Sequence, residues 1–116
     1  WLVSLPHPLK IAIAGNHDFA LDRTKYAELA GSGDSMDADE RQEMDEAEEI
    51  MRGELAQGGN VVYLSNESHD FKTKTDGRKW SVYGSPWTPY FGGMAFNYSK
   101  EEAEGIVGQF PRSDIL

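Results

Sequence analysis

Lys-Ile-Ala-Ile-Ala-Gly-Asn-His-Asp, residues 10–18, constrains the fold of this chain more than any other stretch. Ile11, Ala12, Ile13 and Ala14 form a short apolar run without polar alternation, which reads as a strand buried on both faces of a layered α/β sheet. Gly15 breaks the run, and Asn16, His17 and Asp18 follow with no room for a long loop. Open α/β sheets place ligands and chemistry at the carboxyl ends of their strands. The junction at Gly15 is therefore the first candidate for a site.

Each residue there has a chemical use. The neutral carbonyl oxygen of Asn16 can ligate a hard divalent metal without cancelling its charge, so the metal remains a strong Lewis acid. His17 can give a proton or a hydrogen bond to an oxyanion near neutral pH. Gly15 would permit a sharp turn aiming both into one pocket, and Asp18 could orient His17 through a ring nitrogen. The same residues also serve as plain turn formers, with Asx bonds to the backbone. Placement directly after an apolar strand is the context the metal reading requires.

The rest of the chain supports one domain at 116 residues. Trp1 to Leu5 reads as a helix end stopped by Pro6 and Pro8. Asp22 is a plausible N-cap for a helix from about Arg23 to Ala30, with Gly31 as its stop and residues 31–35 as a loop. From Asp37 to Leu55 the apolar positions Met44, Ala47, Ile50, Met51 and Leu55 fall at helical spacings, and Gly58-Gly59 ends the run. Val61 to Leu64 is a second buried strand. His69–Lys74 and Lys79–Tyr83, joined through Asp76-Gly77, read as a hairpin. A rigid aromatic loop follows over Gly84–Phe91. Ser99 reads as the cap of a helix beginning Lys100-Glu101-Glu102-Ala103, because Ser99 and Glu102 have capping-box spacing, and Asp114-Ile115-Leu116 reads as the start of another strand.

The net charge of −9 is concentrated between Asp34 and Glu54, where ten acids face two bases and leave about −1 for the rest. That balance argues against a nucleic-acid-binding surface. With no cysteine, disulfides, thiolate zinc sites and a Cys nucleophile are excluded, and a reducing, cytoplasmic setting is expected. No run approaches the ~20 apolar residues of a membrane span. The opening residues lack the basic start of a signal peptide, and without an initiator Met the chain reads as a piece of a longer one.

The segment Asp37-Ala38-Asp39-Glu40 lacks the glycine and ligand alternation of a calcium loop and reads as a solvated helix face. His7 and His69 read as ordinary polar surface. Trp80, Trp87, Tyr90, Phe91 and Phe96 are either core packing or the wall of a base-binding pocket.

Ile-Ala-Gly-Asn-His-Asp resembles the third signature of the calcineurin-like metallophosphoesterases. The likeness extends to Tyr-Gly-Ser-Pro-Trp-Thr-Pro-Tyr-Phe (83–91), to Met94-Ala95-Phe96-Asn97 and to Asp114-Ile115-Leu116. In that order the blocks are similar to the metallophosphoesterase-domain-containing subfamily. The acidic middle, about 33–58, lies outside the likeness and reads as a variable helical insertion in the central part of one such domain, residues 1–116. The resemblance implies an α/β fold, here a partial αββα sandwich with a mixed sheet and flanking helices. It implies two divalent ions (Mn, Fe, Mg or Zn) and a small phosphoester substrate, a nucleotide being one candidate. It makes Asn16 a metal ligand, His17 the group that stabilises the transition state or protonates the leaving oxygen, and Asp18 and Gly15 their support. Trp87, Tyr90 and Phe91 would form a substrate-pocket wall.

The family pattern also has an Asp-x-His strand end and a Gly-Asp-x-x-Asp turn upstream, and a His and Gly-His-x-His downstream; this sequence contains none of them. The reading is thus a metal-dependent phosphoesterase present as a piece lacking most metal ligands. Its alternative is a non-catalytic segment serving at most in interaction.

Overall fold

In the computed structural model, which describes residues 1–30 and 37–116, strand β1 (Lys10–Ala12) pairs in parallel with β2 (Val61–Tyr63), placing Lys10 opposite Val61, Ile11 opposite Val62 and Ala12 opposite Tyr63. Leu64 N–H extends the ladder by donating to Ala12 O at 2.9 Å. Parallel neighbours need a crossover. Among its described residues are the 3₁₀ turn Phe19–Leu21 and the α-helices α1 (Arg23–Ala30), α2 (Ala38–Arg52) and α3 (Glu54–Gly58).

Expected burial on both faces of β1 is not what the structure shows. Lys10 and Ala14 are buried, whereas Ile11 and Ile13 are exposed, Ile13 by 53%. Side chains alternate across a strand, and α2 and α3 pack on β2, where Val61 and Tyr63 are buried and Val62 between them is only partly so. Ile11 and Val62 belong to the barer face. Lys10 begins the strand as a buried cation. Its Nζ donates to the carbonyls of Leu5 at 3.2 Å and His7 at 3.1 Å, and the flanking Pro6 and Pro8, with their fixed φ, help hold that loop. Trp1 to Leu5 forms only a 3₁₀ turn over Leu2–Ser4.

Asp37 and Glu40 close a reciprocal capping box at the start of α2. The expected single helix to Leu55 is instead two helices, because Gly53 adopts an extended backbone with ψ −176°. Gly53 N–H still bonds Glu49 O at 2.7 Å. Of the predicted apolar stripe, Met44 is fully buried and Met51 packs on the core, but Ile50 and Leu55 are 73% and 80% exposed. The expected stop for α1 at Gly31, and the loop 31–35, lie outside the described residues.

The predicted hairpin is present as β3 (Glu67–Lys72) against antiparallel β4 (Lys79–Gly84). Gly77 sits at φ +67° in its turn, a region open to glycine at little cost. Asp76 accepts from Thr73 Oγ1 and from Arg78 N–H. The last residues add to the far edge of β4: Ile115 bridges Val82 in parallel, and Ser81 N–H donates to Asp114 Oδ2 at 2.8 Å. The aromatic loop carries the two-residue β5 (Thr88–Pro89), parallel to β6 (Asn97–Tyr98). Ser99 and Glu102 exchange the expected reciprocal bonds, but residues 100–102 form a turn rather than the expected first helical residues, and α4 runs only Ala103–Val107. The fold is mixed α/β, small sheets with flanking helices, and forms part of an α/β sandwich. Among the described residues no helix is long and apolar enough to cross a membrane.

Candidate functional site

The chain leaves β1, buries Ala14 in the core beside Tyr63, Ala95 and Phe96, and turns at once. Asp18 N–H donates to Gly15 O at 3.0 Å, closing a turn with Asn16 and His17 at its two central positions. Asp18 Oδ2 accepts from Gly15 N–H at 2.6 Å. Asp18 thus closes the turn a second time through this oxygen, its side chain reaching back three residues to the Gly15 amide. Gly15 is not among the left-handed glycines, and a Cβ there would meet Asp18 Oδ2 at an ordinary 3.6 Å. The sharpness of the turn comes from Asp18 rather than from glycine's conformational freedom. Asn16 is half-buried; His17 and Asp18 are exposed.

Two long-range bonds hold this turn against the end of the aromatic loop. Ala95 N–H donates to Asn16 O at 3.1 Å. Phe96 N–H donates to Asp22 Oδ2 at 2.6 Å, while Asp22 Oδ1 caps α1 through Lys25 N–H at 3.1 Å. Phe96 sits at φ +53°, which costs a bulky residue on the order of 1–3 kcal/mol unless its surroundings fix it. Asp22 is one of the groups that fix it. Its capping role is readable from sequence, but its bond to a residue 74 positions away is not.

His17 and Asp18 line a groove of about 460 Å³. Its apolar lining comes from the 3₁₀ turn Phe19–Leu21 and from Ala47, Ile50 and Met51 of α2. Tyr26 and Glu43 complete it, the phenol donating to Glu43 Oε2. That hydrogen bond to a carboxylate pushes the Tyr26 phenol up to about 12, so it stays a neutral donor. None of these wall residues was singled out as part of the site from sequence, although Ala47, Ile50 and Met51 carry the helical apolar spacing that marks α2.

The aromatic loop forms a different cleft. Trp87 and Tyr90 line about 310 Å³ with Asp22 and Lys25 beside α1 and with Asn97 and Tyr98 of β6; no lining residue is shared with the His17 groove. Trp87 also stands edge-on to Phe96, ring centres 6.3 Å apart, so it serves both packing and cleft wall. Phe91 is 73% exposed and does not line this cleft. Trp80 lies under the Arg78 guanidinium at 3.9 Å in the hairpin, His69 is half-buried in β3, and His7 is exposed.

Behind the groove, Arg52 ties three elements together. It pairs with Glu67 at 2.7 Å, donates to Tyr63 O at 3.4 Å and lies over the Tyr63 ring at 4.9 Å. The same guanidinium holds the Glu67 carboxyl below its ordinary value. Burial pushes the Tyr63 phenol up.

Over 103 residues, 89% of the chain, the sequence is 32% identical to metallophosphoesterase domain-containing protein 1 of Homo sapiens and of Mus musculus. The likeness is to a metallophosphoesterase-domain protein. The chain spans only 29% of those relatives' length. It is also 34% identical over 102 residues to a protein of Emericella nidulans named probable rhamnogalacturonate lyase C, of which the match covers 8%. No family model matches the chain.

By themselves the described residues do not make up the two-metal centre that the sequence resemblance implies. No group of three or more His, Cys, Asp or Glu side chains is placed among them to hold an ion. Asn16 would offer one oxygen, where a hard cation takes about six ligands.

Proposed function

We propose that this stretch supplies the Asn–His turn of a metal-dependent phosphoesterase that hydrolyses phosphomonoesters or phosphodiesters. One observation carries the reading: Asn16 and His17 occupy the centre of a locked turn just beyond a parallel strand, within a chain 32% identical over most of its length to a metallophosphoesterase-domain protein. Asn16 donates one amide oxygen to a divalent centre of Mn, Fe, Mg or Zn whose other ligands come from outside residues 1–116. His17, exposed at the turn, gives a hydrogen bond or proton to a phosphoryl or leaving oxygen. Asp18, by fixing Gly15, keeps both side chains in register with the core.

The test is a calorimetric Mn²⁺ titration of a longer protein that carries this stretch with the remaining ligands. Asn16→Ala weakens Mn²⁺ binding at least tenfold, and His17→Ala leaves it nearly unchanged. Equal Mn²⁺ affinity in Asn16→Ala and the parent contradicts the assignment.

A second reading, a non-catalytic interaction segment, is favoured by the apolar groups left on the surface, with Trp1, Ile50 and Leu55 among the most exposed. It predicts no metal-dependent hydrolysis in any protein carrying the stretch.

A further inference from the structure

We propose that the apolar groove between the 3₁₀ turn Leu2–Ser4 and the α2–α3 junction is a docking site for an amphipathic helix whose flanks carry Lys or Arg. Neither Asn16 nor His17 lines it, so the inference stands apart from the phosphoesterase reading. The groove measures about 500 Å³. Trp1 and Val3 form one bank, Ile50 and Leu55 the other, and the buried Ala56 and Val61 the floor. Trp1 is 89% exposed, and Ile50 and Leu55 are almost as bare. The banks are held in place. Ser4 N–H and Oγ both donate to Trp1 O, at 3.1 and 2.8 Å, and close the 3₁₀ turn. Gly59, just after α3, lets that turn settle against it: a Cβ at 59 would lie 2.7 Å from Val3 Cβ. Large apolar side chains clustered on a fixed scaffold and rimmed by polar groups mark a protein-binding surface.

Charge names the partner. The lining holds no Lys or Arg; its charged side chains are Glu49 and Glu54, with the terminal ammonium of Trp1 as the single positive group. On the other side of α2, Asp45 and Glu48 are matched by Arg23, and Arg52 is taken by Glu67. Among the described residues neither Glu49 nor Glu54 forms an ion pair. Glu46, also exposed, stands one helical turn before Ile50 and extends the acidic rim. A helix with apolar side chains on one face and Lys or Arg beside them matches both features, the groove and its rim. A second copy of the chain does not, because a two-fold contact sets the same carboxylates against one another. An anionic lipid surface meets the same repulsion.

The test titrates the 116-residue chain, with labelled methyl groups and at about 0.15 M salt, with three synthetic helical peptides. One has a Leu face flanked by Lys, the second the same Leu face flanked by Glu, and the third the Lys pattern with Gln in place of Leu. The Leu/Lys peptide should bind at least ten times tighter than either control and shift the Val3, Ile50 and Leu55 methyls. Leu55→Ser should weaken it at least tenfold while Val82 signals, in the hairpin, stay in place. Glu49→Gln combined with Glu54→Gln should weaken it at least threefold, since each is a rim charge. Absent binding of the Leu/Lys peptide overturns the inference. Equal binding of the Leu/Glu peptide does so as well, because the groove then selects apolar surface alone, and equal binding of the Gln/Lys peptide does so because charge alone then acts. Shifts centred on Ala47 with Val3 silent mark the groove beside His17 instead and overturn it. Self-association of the chain without peptide, or flotation with phosphatidylcholine vesicles, overturns it if Leu55→Ser abolishes that behaviour. Val3 and Leu55 signals that ignore the Leu/Lys peptide in a longer protein carrying the stretch give the groove to that protein's own chain and overturn it too.

Discussion

Asp22 shows how one side chain can hold two parts of a fold. Its two oxygens satisfy a helix N-terminus and the amide of a residue in left-handed backbone. Asp22→Ala should cost roughly 1–3 kcal/mol in urea denaturation, since it removes a cap and strands a partly buried amide. A loss within experimental error would show that Phe96 is held without it. Glu67 gives a pH signature. Paired with Arg52, its carboxyl lies below its ordinary value of 4.5 in the folded chain. A depressed carboxylate stabilises the fold above its unfolded value, and that contribution disappears as pH falls through the folded one. Stability should therefore fall on acidification from about pH 4.5 downward, and less steeply in Arg52→Met; parallel pH curves for the two proteins would contradict the pairing. The polar order at residues 15–18 was legible from sequence because strand, glycine and Asn-His-Asp are adjacent. The direction of Asp18 was not: the sequence suggests a contact with a ring nitrogen of His17, whereas in the structure its Oδ2 accepts from the Gly15 amide.

Among the elements, α1, the hairpin and the second strand were readable because each is set by neighbours in sequence: an N-cap, an Asp-Gly turn, a β-branched run. The acidic helix was read correctly as helix and incorrectly as unbroken. Periodicity reports which positions are apolar, not where a backbone leaves helical ψ, and Gly53 is where it does. A Cβ on Gly53 would lie 2.4 Å from Glu49 O. Gly53→Ala should therefore cost about 1–3 kcal/mol by thermal denaturation, as overpacking does. Unchanged stability would mean that α2 and α3 can merge into one helix. Met44, 1% exposed, shows that α2 is packed cover for the sheet whatever its origin. Met44→Ala should cost roughly 2–5 kcal/mol by the same measurement, and a loss under 1 kcal/mol would make α2 an appendage.

At the scale of the whole molecule, local sequence could not tell that β1 would keep one face exposed, because burial of a strand depends on elements far away in the chain. The apolar Ile11 and Ile13 fit a layered sheet, and the helices packed on β2 account for one side of it. The same gap shows at the turn: Asn16 and His17 stand at its centre, while an ion needs more donors than the described residues bring together. The central claim, that this turn belongs to a phosphoesterase centre, is tested most directly by turnover. The measurement is Mn²⁺-dependent hydrolysis of bis(p-nitrophenyl) phosphate by a longer protein carrying residues 1–116, compared with its His17→Ala variant and with Mn²⁺ alone. The account predicts hydrolysis well above the metal blank and a fall of roughly 10²–10⁴-fold in His17→Ala with an unchanged circular dichroism spectrum. Equal turnover in the parent and His17→Ala would contradict it.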